Sequence, residues 1–473
     1  MSQVPVDESG IRVLTSIVSP AHATGGTLNV LFLLVDCLRA DVCHGSDRQV
    51  ETPNLDALRR RGTAFTQAIS VAGSTPVCLG SLFTGMYPFV HGIRPISLNR
   101  FYLSTKKLSP DCPTLAEILR DSGTSTSATM TGPILHVTDL DRGFQQFTHR
   151  DKDDVYLRGR FGEDLQRRLR ALNSGGIPWL LFVHLWELHA PRQVLPEFNF
   201  RRFGRTRYER AVSSLDHQLG AVLKEVDLDS TLVVVHGDHG EGTESVFEWL
   251  HHPRVYDPIG IRASRLFYSL FFTWIHRYRF LQGAHGLNLY EEMVRVPLIF
   301  AGPGIPQGHA IPAQVSQIDI LPTILDLAGV PEDRRPSVQG RSVCPLIAGK
   351  PWEERPVYAE TYSGQSVSVR YVPARRLNAD AQHRPPALVA IRTPEWKCIW
   401  VPEDSRIPTE LYHVEGDPRE QRNLAAERPE VAAELKAHLP RLESGWQPGG
   451  AQAGMSPEEQ AMLEDRLREL GYL

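Results

Sequence analysis

Two near-continuous apolar runs dominate the hydrophobic pattern of the chain, at residues 29–35 and 231–236, and both end in an acidic tip. Runs of this kind are typical of strands buried on both faces of a parallel sheet. Asp36 follows the first run, and Asp238 and His239 follow the second. Because ligands bind at the carboxyl ends of strands in open α/β sheets, we expect these three side chains to meet.

Other segments predict alternating helices and strands, as in parallel sheets with helical crossovers. The predicted helices lie near residues 52–58 (capped by Thr52 or Asn54), 112–119, 208–226 and 318–328, and the predicted strands near residues 124–130, 178–185 and 297–301. Alternating stretches at 387–392 and 397–401 follow further along. Ser456-Pro457-Glu458-Glu459 has the pattern of a capping box and predicts a helix to about residue 470.

Residues 73–85 (GSTPVCLGSLFTG) form a third distinctive stretch. The pattern predicts a sharp turn at Pro76 and a helix with small residues in its first turn. Free N–H groups at such a helix start can bind an anion, and the hydroxyl of Ser74 or Thr75 is a candidate nucleophile if a neighbour deprotonates it. Hydroxyl residues at helix starts are more often simple caps, so this stretch by itself favours the structural role.

The acidic tips change that balance. Asp36, Asp238 and His239 offer oxygen and nitrogen donors, which suit a hard or borderline divalent cation. Each Asp taken singly has the alternative role of a helix cap. Three donors at the ends of two strands favour a metal site, and we expect it to lie beside the hydroxyl of residue 74 or 75.

Composition limits the class of protein. The 473 residues are 41% hydrophobic, which allows a large core and more than one ordinary domain. The formal net charge of −4 gives no electrostatic basis for binding nucleic acid, and the six cysteines do not have the spacing of a disulfide framework. No apolar run approaches ~20 residues, and residues 1–26 lack the pattern of a signal peptide. We therefore expect no transmembrane segment and a cytoplasmic location.

Two regions fall outside the α/β pattern. Residues 1–27 are polar and are predicted to be a loose lead-in. Residues 246–283 are rich in aromatic residues and arginine. We interpret this stretch as an insertion over the rim of the site, either a lid or a specificity element. A membrane-surface patch and a hairpin packed on the domain are the alternatives.

Several motifs together resemble the sulfatase branch of the alkaline-phosphatase-like superfamily. They are NVLFLLVDCLRAD, TPNLDALRRRGTAFTQA, STPVCLGSLFTGMYP, VVVHGDHGE, HGLNLYEEMVRVPLIFAGPG, VSQIDILPTILDLAGVP and ELYHVEGDPREQRNLA. The resemblance runs from about Leu28 to the C-terminus. It implies an alkaline-phosphatase-like α/β fold with a large, mostly parallel central sheet flanked by helices. It also implies a catalytic domain at 28–335 and a C-terminal subdomain with a smaller antiparallel sheet and a terminal helix at 336–473.

The resemblance also bears on the nucleophile. Sulfatases carry Cys or Ser in a C/S-x-P-x-R signature that is oxidised to formylglycine. Alignment on Pro76 puts Ser74 in that position, whereas the distance to Thr84-Gly85 puts Thr75 there, and we favour Thr75. The Arg of the signature is missing and Cys78 takes its place, which argues against formylglycine. An unmodified hydroxyl favours phosphate esters, because a sulfated Ser or Thr lacks the exit that formylglycine provides, whereas the family favours sulfate.

The remaining site residues follow from the resemblance. His189 matches the active-site His of an H-x-P segment and His285 a substrate-binding position, so either is expected to protonate the leaving oxygen. Arg39 is expected to brace the metal ligands or to clamp the anion. Cys37 replaces the second acidic ligand of many sulfatases. One cation is expected, calcium or manganese with zinc as an alternative, held by Asp36, Asp238, His239 and the Thr75 hydroxyl.

The hypothesis is a metal-dependent sulfatase-like hydrolase that cleaves small-molecule sulfate or phosphate esters through a covalent intermediate on Thr75 or Ser74. One alternative is a transferase of phosphoethanolamine type, which would pass the group to an acceptor through the same intermediate. Another is an inactive binding protein, suggested by the altered signature between Ser74 and Cys78. The intact residues Asp36, Asp238 and His239 argue against the second alternative.

Overall fold

A computed structural model describes the chain in segments. They are residues 28–44, 48–93, 107–132, 138–150, 154–189, 192–242, 286, 288–361, 388–402, 405, 408–444 and 456–469. The predicted lead-in at 1–27, the predicted insertion at 246–283 and His285 lie outside the described residues.

An eight-stranded sheet forms the centre of the molecule. Its strands are β1 (Asn29–Val35), β2 (Gly62–Ile69), β3 (Ser125–Met130), β4 (Gln146–His149), β5 (Trp179–Leu185), β6 (Thr231–Gly237), β7 (Arg295–Ala301) and β8 (His309–Ser316). They lie in the order β4-β3-β5-β1-β6-β7-β2-β8. Every neighbouring pair is parallel except the two that involve β7. The predicted mostly parallel central sheet is confirmed.

Strand β1 shows why its apolar run is continuous. Phe32 and Leu34 belong to the core on one face of the sheet, whereas Leu31 and Leu33 belong to the core on the other. Side chains alternate between the faces of a strand, so a strand covered on both faces needs apolar residues at every position. Burial of each such side chain contributes about 1.5–3 kcal/mol. The strands that carry the acidic tips are therefore among the most firmly packed in the fold.

Helices cover both faces of this sheet. They are α1 (Ala40–His44), α2 (Pro53–Arg60), α3 (Thr75–Thr84), α4 (Pro88–His91), α5 (Leu115–Asp121), α6 (Arg160–Asn173), α7 (Arg207–Leu223), α8 (Glu291–Val294), α9 (Ile320–Leu327) and α10 (Cys344–Ile347). Capping boxes begin α5 at Thr114 and α7 at Thr206, which satisfies backbone N–H groups of the first turn.

A second sheet of four antiparallel strands follows. Its strands are β9 (Val357–Thr361), β10 (Leu388–Arg392), β11 (Trp396–Trp400) and β12 (Glu410–His413), in the order β12-β11-β10-β9. Helices α11 (Pro429–Lys436), α12 (His438–Glu443) and α13 (Pro457–Glu469) complete the chain. The smaller C-terminal antiparallel sheet and the terminal helix were both predicted, and the predicted fold class is confirmed.

Four buried charged residues connect this second sheet to the part of the chain that contains the eight-stranded sheet, and we call them the Glu291 network. Arg392 donates two hydrogen bonds to the carboxylate of Glu291, at 2.9 and 3.0 Å. Lys397 Nζ lies 3.0 Å from Glu291 Oε1 and 2.6 Å from Glu420 Oε1. Glu291 belongs to α8 and the two basic residues to β10 and β11, so the network joins the two halves through opposite charges.

The sequence-based boundaries need several corrections. The helix predicted from Cys112 begins at Leu115 and the one predicted at Tyr208 begins at Arg207. Thr52 is the N-cap of α2 by backbone position but its side chain makes no capping hydrogen bond. Asn54, the other candidate cap, instead donates its side-chain amide to Asp216. Strands β2 and β8 were not predicted, and among the described residues no helix has the length and apolarity needed to cross a membrane.

Candidate active site

Parallel pairing of β1 with β6 brings the two acidic tips together. The register sets Val35 beside Gly237, so the next acidic residues, Asp36 and Asp238, leave neighbouring strands side by side. Both carboxyl groups are fully buried. The tips therefore meet at the carboxyl edge of the sheet, where a ligand site is expected.

His239 turns its Nε2 toward this edge. Its Nδ1 lies 2.8 Å from the carbonyl oxygen of Gly240, which can only accept, so Nδ1 donates this hydrogen bond. His239 Nε2 lies 3.4 Å from Asp238 Oδ2 and 3.9 Å from Asp36 Oδ1. Asp238 Oδ1 accepts the backbone N–H groups of Cys37, at 3.2 Å, and His239, at 2.8 Å. The ring and the carboxylates therefore converge in fixed orientations.

The backbone of Asp238 is held from the opposite side. Its carbonyl oxygen accepts hydrogen bonds from Ser70 Oγ at 2.5 Å and from Gln317 Nε2 at 3.3 Å. Gln317 Nε2 also donates to His236 Nε2 at 3.1 Å. Burial lowers the pKa of His236 to about 4, so this ring is neutral and accepts. The tip of β6 is positioned by polar contacts as well as by its strand.

Thr75 places its hydroxyl directly against the predicted ligands. Thr75 is the first residue of α3, and its Oγ1 lies 3.2 Å from His239 Nε2 and 3.4 Å from Asp36 Oδ2. Ser74 is the N-cap in an extended conformation, is half-buried, and makes no side-chain capping hydrogen bond. Between the two candidate nucleophiles, the contacts with Asp36 and His239 therefore belong to Thr75.

Cys37 adopts an unusual backbone conformation between the two tips. Its φ angle is +62°, in the left-handed region that few residues other than glycine enter. Its thiol donates to Asp36 Oδ1 at 2.8 Å and lies 3.6 Å from Glu241 Oε2. Tyr208 Oη donates to the Cys37 carbonyl oxygen at 2.7 Å. The side chain is thereby directed into the carboxylate cluster.

Arg39 forms part of the support for this turn. Its guanidinium donates to both carboxylate oxygens of Asp41, at 2.9 and 2.6 Å, and to the backbone carbonyl of Glu241 at 3.3 Å. Its backbone N–H donates to Tyr208 Oη at 2.9 Å. These contacts fix the turn that follows Asp36, and the planar guanidinium holds Asp41.

His184 is a site residue that the sequence analysis missed. It lies in β5 beside Leu34 of β1, and its Nε2 donates to Asp36 Oδ2 at 3.2 Å. Burial alone would raise the pKa of Asp36. The hydrogen bond from His184 and the nearby His189 and His239 more than offset this, so the pKa of Asp36 lies well below its usual value. Asp36 is therefore ionised.

The pKa of the second carboxylate, Asp238, is shifted in the opposite direction. Burial and the charge of Asp36 raise the pKa of Asp238, although His239 and His184 act in the opposite direction. Burial and the carboxylates of Asp36, Glu241 and Asp238 raise the pKa of the Cys37 thiol well above its usual value. The buried cluster thus carries an excess of negative charge.

A divalent cation fits this donor set. Ligand atoms of Asp36, His184 and Asp238 lie within 4.8 Å of one another, as do those of Asp36, Cys37 and His239. Asp238 Oδ2 is buried and makes no hydrogen bond. An unsatisfied buried carboxylate oxygen is costly unless a cation or a donor contacts it. The residues present are thus suited to hold a metal between the strand tips.

His189 lies beside the cluster on the loop after β5. It is buried, its ring stacks on Trp186 with centroids 3.9 Å apart, and its charge lowers the pKa of Asp36. The structure thus brings together Asp36, Asp238, His239 and Thr75, with His189 nearby. His285 is not described, but Gly286 packs against Gly73, where an added Cβ would lie 3.0 Å from Gly286 N.

Helix α8 packs against the two loops that carry Gly73 and Gly240. The backbone N–H of Gly240 donates to the Met293 carbonyl at 2.7 Å, and a Cβ on Gly240 would come within 1.9 Å of Glu292 O. A Cβ on Gly73 would come within 3.0 Å of the Met293 side chain. Gly240 needs to be glycine because the backbone of α8 packs directly on it, and Gly73 lies close to the Met293 side chain. Glu291, the first residue of α8, anchors it through the Glu291 network.

Family profiles match most of the chain. The profile described as Sulfatase matches residues 28–330. The chain belongs to the sulfatase family. A second profile, described as N-sulphoglucosamine sulphohydrolase, C-terminal, matches residues 285–445 and so includes α8 and the smaller sheet. The predicted family is confirmed.

Curated relatives resemble this sulfatase-family chain over part of their length. Choline-sulfatase of Rhizobium meliloti (strain 1021) is 32% identical over 235 residues, which are 48% of this chain and 34% of that protein. Arylsulfatase K of Danio rerio is 31% identical over 153 residues, 32% of this chain and 26% of that protein. The matched part therefore spans about a quarter to a third of the length of these relatives.

Solved structures support the same fold. The phosphonate monoester hydrolase of Agrobacterium radiobacter superimposes with a TM-score of 0.66 at 17% sequence identity, covering 89% of this chain and 96% of that one. Identity this low shows a shared fold and nothing finer. The alkaline-phosphatase-like architecture of this sulfatase-family chain is thus supported along nearly its whole length.

Proposed function

We propose that this chain hydrolyses small anionic esters, with Thr75 as the nucleophile and one divalent cation held by Asp36, Asp238 and His239. The contact that carries the proposal is that of Thr75 Oγ1, 3.2 Å from His239 Nε2 and 3.4 Å from Asp36 Oδ2. A nucleophilic hydroxyl needs such neighbours, since free threonine is a weak nucleophile. Bound there, a divalent cation would neutralise charge on the ester and lower the pKa of an adjacent hydroxyl.

The residues around Thr75 have distinct roles in this proposal. Asp36 and His239 orient the hydroxyl, and Asp36 Oδ2 accepts its hydrogen bond. The start of α3 faces the ester, so the helix dipole stabilises the negative group beside Thr75. His189, stacked on Trp186, donates a proton to the leaving oxygen. Attack by Thr75 forms a covalent ester on its Oγ1, which water then hydrolyses.

The substrate class has two supported candidates. Relatives named choline-sulfatase and arylsulfatase K favour a sulfate ester. Thr75 favours a phosphate or phosphonate ester. Threonine cannot be converted to formylglycine, but a phosphoryl group on threonine can be removed by attack of a second nucleophile at phosphorus. The position of the missing Arg is occupied by Cys78, which is buried and hydrogen-bonded to Ala72 O. We therefore propose sulfate and phosphate monoesters as the substrates to compare first.

Turnover of 4-nitrophenyl sulfate, 4-nitrophenyl phosphate and 4-nitrophenyl phenylphosphonate by the metal-loaded protein tests this proposal. Thr75→Ala should lower kcat for the preferred ester by at least ~10³-fold, because it removes the hydroxyl that attacks the ester and forms the covalent intermediate. Ser74→Ala is the matched control and should retain activity within about tenfold. Mass spectrometry of quenched reactions should show the sulfo or phospho adduct on Thr75. Equal loss in both variants, or an adduct on Ser74, would contradict the assignment.

Two outcomes would favour the alternatives to hydrolysis. If the purified chain neither retains a divalent cation nor turns over any of the three esters, a binding protein is the better interpretation. If the Thr75 adduct forms but is released only when an alcohol acceptor is added, the chain is a transferase. The proposed hydrolase instead predicts release in water alone.

A further inference from the structure

We propose that Cys37 Sγ is a direct ligand of the cation and makes the site selective for zinc over calcium. This inference rests on the proposed cation site and goes beyond it, since that site needs only Asp36, Asp238, His239 and Thr75. Sulfur ligands favour soft or borderline ions such as zinc, whereas calcium takes oxygen ligands.

The position of the thiol supports direct ligation. Cys37 Sγ lies 2.8 Å from Asp36 Oδ1. Ligand atoms of Cys37, Asp36 and His239 all lie within 4.8 Å of one another. Zinc binds sulfur at ~2.3 Å and nitrogen or oxygen at ~2.0–2.2 Å, so ligands of one zinc ion are separated by roughly 3–4 Å. A single ion can therefore contact all three side chains after small adjustments.

The backbone holds Cys37 in this orientation against its own preference. A left-handed conformation disfavours any residue with a Cβ, so its surroundings must stabilise it. Here the Cys37 N–H donates to Asp238 Oδ1 and its carbonyl accepts from Tyr208 Oη. The thiol is fully buried. Strained residues held in place by several contacts are common at functional sites, and the consequence of this strain is to direct sulfur toward Asp36.

A second feature of the cluster also indicates a ligand. Asp238 Oδ2 is completely buried, has no hydrogen-bond partner and lies 3.4 Å from His239 Nε2. Asp36, His239 and Cys37 make a mixed oxygen, nitrogen and sulfur set of three protein donors that lie within 4.8 Å of one another. Three protein donors with an open fourth position are typical of catalytic zinc, whereas calcium takes six to eight oxygen ligands.

Zinc binding replaces the proton on Cys37 Sγ. The Cys37 S–H bond breaks and a sulfur–zinc bond forms, with both electrons of the S–H bond staying on sulfur. The proton leaves to solvent, and no oxidant or reductant takes part. Without the cation the thiol keeps its proton and donates it to Asp36 and Glu241, as the 2.8 and 3.6 Å contacts describe.

Cobalt spectroscopy tests the sulfur–metal bond without any measurement of activity. The full chain is stripped of metal with a chelator and titrated with Co²⁺ to one equivalent. Wild-type protein should develop an intense near-ultraviolet thiolate-to-cobalt charge-transfer band, which added Zn²⁺ abolishes. Cys37→Ser should still bind Co²⁺ but without this band, and its Zn²⁺ affinity should fall by at least about tenfold. Cys37→Asp should shift the preference of the site from Zn²⁺ toward Ca²⁺.

Cys43→Ser is the matched control, because Cys43 is another buried thiol on the adjacent helix α1 but is not part of the ligand grouping. It should retain the band. Stoichiometric Co²⁺ binding without a band in wild-type protein would overturn the role of Cys37 and leave the proposed hydrolase intact. A band that survives in Cys37→Ser would also overturn it. Failure to bind any divalent ion would overturn the proposed function itself.

Discussion

Two buried clusters of charged residues in this chain are built on opposite principles. In the strand-tip cluster, the carboxylates of Asp36 and Asp238 have histidines as their basic partners, and burial together with mutual repulsion raises the pKa of Asp238. In the Glu291 network, Arg392 and Lys397 match the charges of Glu291 and Glu420. Buried ions are stable when they are paired with opposite charges. The comparison indicates that the network has its opposite charges in place, whereas the donors at the strand tips are suited to a cation.

The largest expected difference comes from making the same amide change in each cluster. Asp238→Asn keeps an oxygen to accept the two backbone N–H groups and removes one of the repelling charges. Cation affinity, measured by calorimetry, should fall by at least ~100-fold because a ligand is lost. The stability of the cation-free protein in urea should stay the same or rise by up to about 1 kcal/mol.

Glu291→Gln is the matched change in the Glu291 network. The pKa of Glu291 lies well below its usual value because Arg392 and Lys397 outweigh the effect of burial, so its charge stabilises the fold. The variant should lose about 2–4 kcal/mol in the same urea experiment. Equal destabilisation of the two cation-free variants would contradict the contrast between the clusters.

Removal of a basic partner should destabilise the network strongly. Lys397→Met fits a fully buried position but leaves Glu291 and Glu420 facing one another with one cation fewer. We expect a loss of about 3–5 kcal/mol in the free energy of unfolding. Adding Glu420→Gln to this variant should restore part of the loss, since it removes the surplus negative charge. A double variant less stable than Lys397→Met would show that charge balance is not what stabilises the network.

Stability should also depend on pH through Glu420. Burial and the charge of Glu291 raise the pKa of Glu420 from 4.5 to about 7, although Lys397 opposes this. The folded state therefore binds a proton that the unfolded state has released between these values. The contribution of Glu420 is fully present below pH 4.5 and is lost as the pH rises to about 7. Unfolding in urea at pH 5 and 7.5 should show Glu420→Gln gaining stability relative to wild type as the pH rises.

The smallest change in the free energy of unfolding is expected for an ion pair exposed to solvent. Arg422 and Glu427 lie 2.8 Å apart, but their side chains are 72% and 55% exposed. Solvent screens such a pair, so Arg422→Ala should change the free energy of unfolding by less than about 1 kcal/mol. A loss comparable to that of Lys397→Met would mean that burial does not distinguish these interactions.

The sequence predicted that Asp36, Asp238 and His239 lie together because the strands that precede them have clear apolar patterns. Apolar runs at 29–35 and 231–236 predict buried parallel strands, and the residues after them must then lie at one edge. His184 was missed because it is a single polar residue inside an apolar strand, which is more often structural than functional. The polar residue near the end of β5, opposite the end of β1, was the available signal. Glu241 was recognised only as part of a motif, although its carboxylate lies 3.6 Å from Cys37 Sγ.

Strands β2 and β8 were not predicted, for a different reason. β2 has the sequence GTAFTQAI and β8 has HAIPAQVS, which mix polar and apolar residues without a clear period. Both strands form irregular ladders with shifts of register, and their position depends on pairing with distant segments. Lys397 likewise lies in an alternating stretch that predicts an exposed side chain, yet it is fully buried because Glu291 and Glu420 approach from other elements. Such placements depend on tertiary contacts that local patterns do not contain.

The smaller sheet contributes no proposed ligand, but through helix α8 it affects the position of residues in the proposed active site. The helix packs against Gly73 and Gly240, close to Thr75 and His239, and its first residue is fixed by two basic side chains from β10 and β11. A chimera that joins the first half of one homologue to the second half of another would therefore misplace α8, unless the helix and the two strands that fix it come from the same parent. The two halves are therefore expected to be exchanged between homologues as one unit.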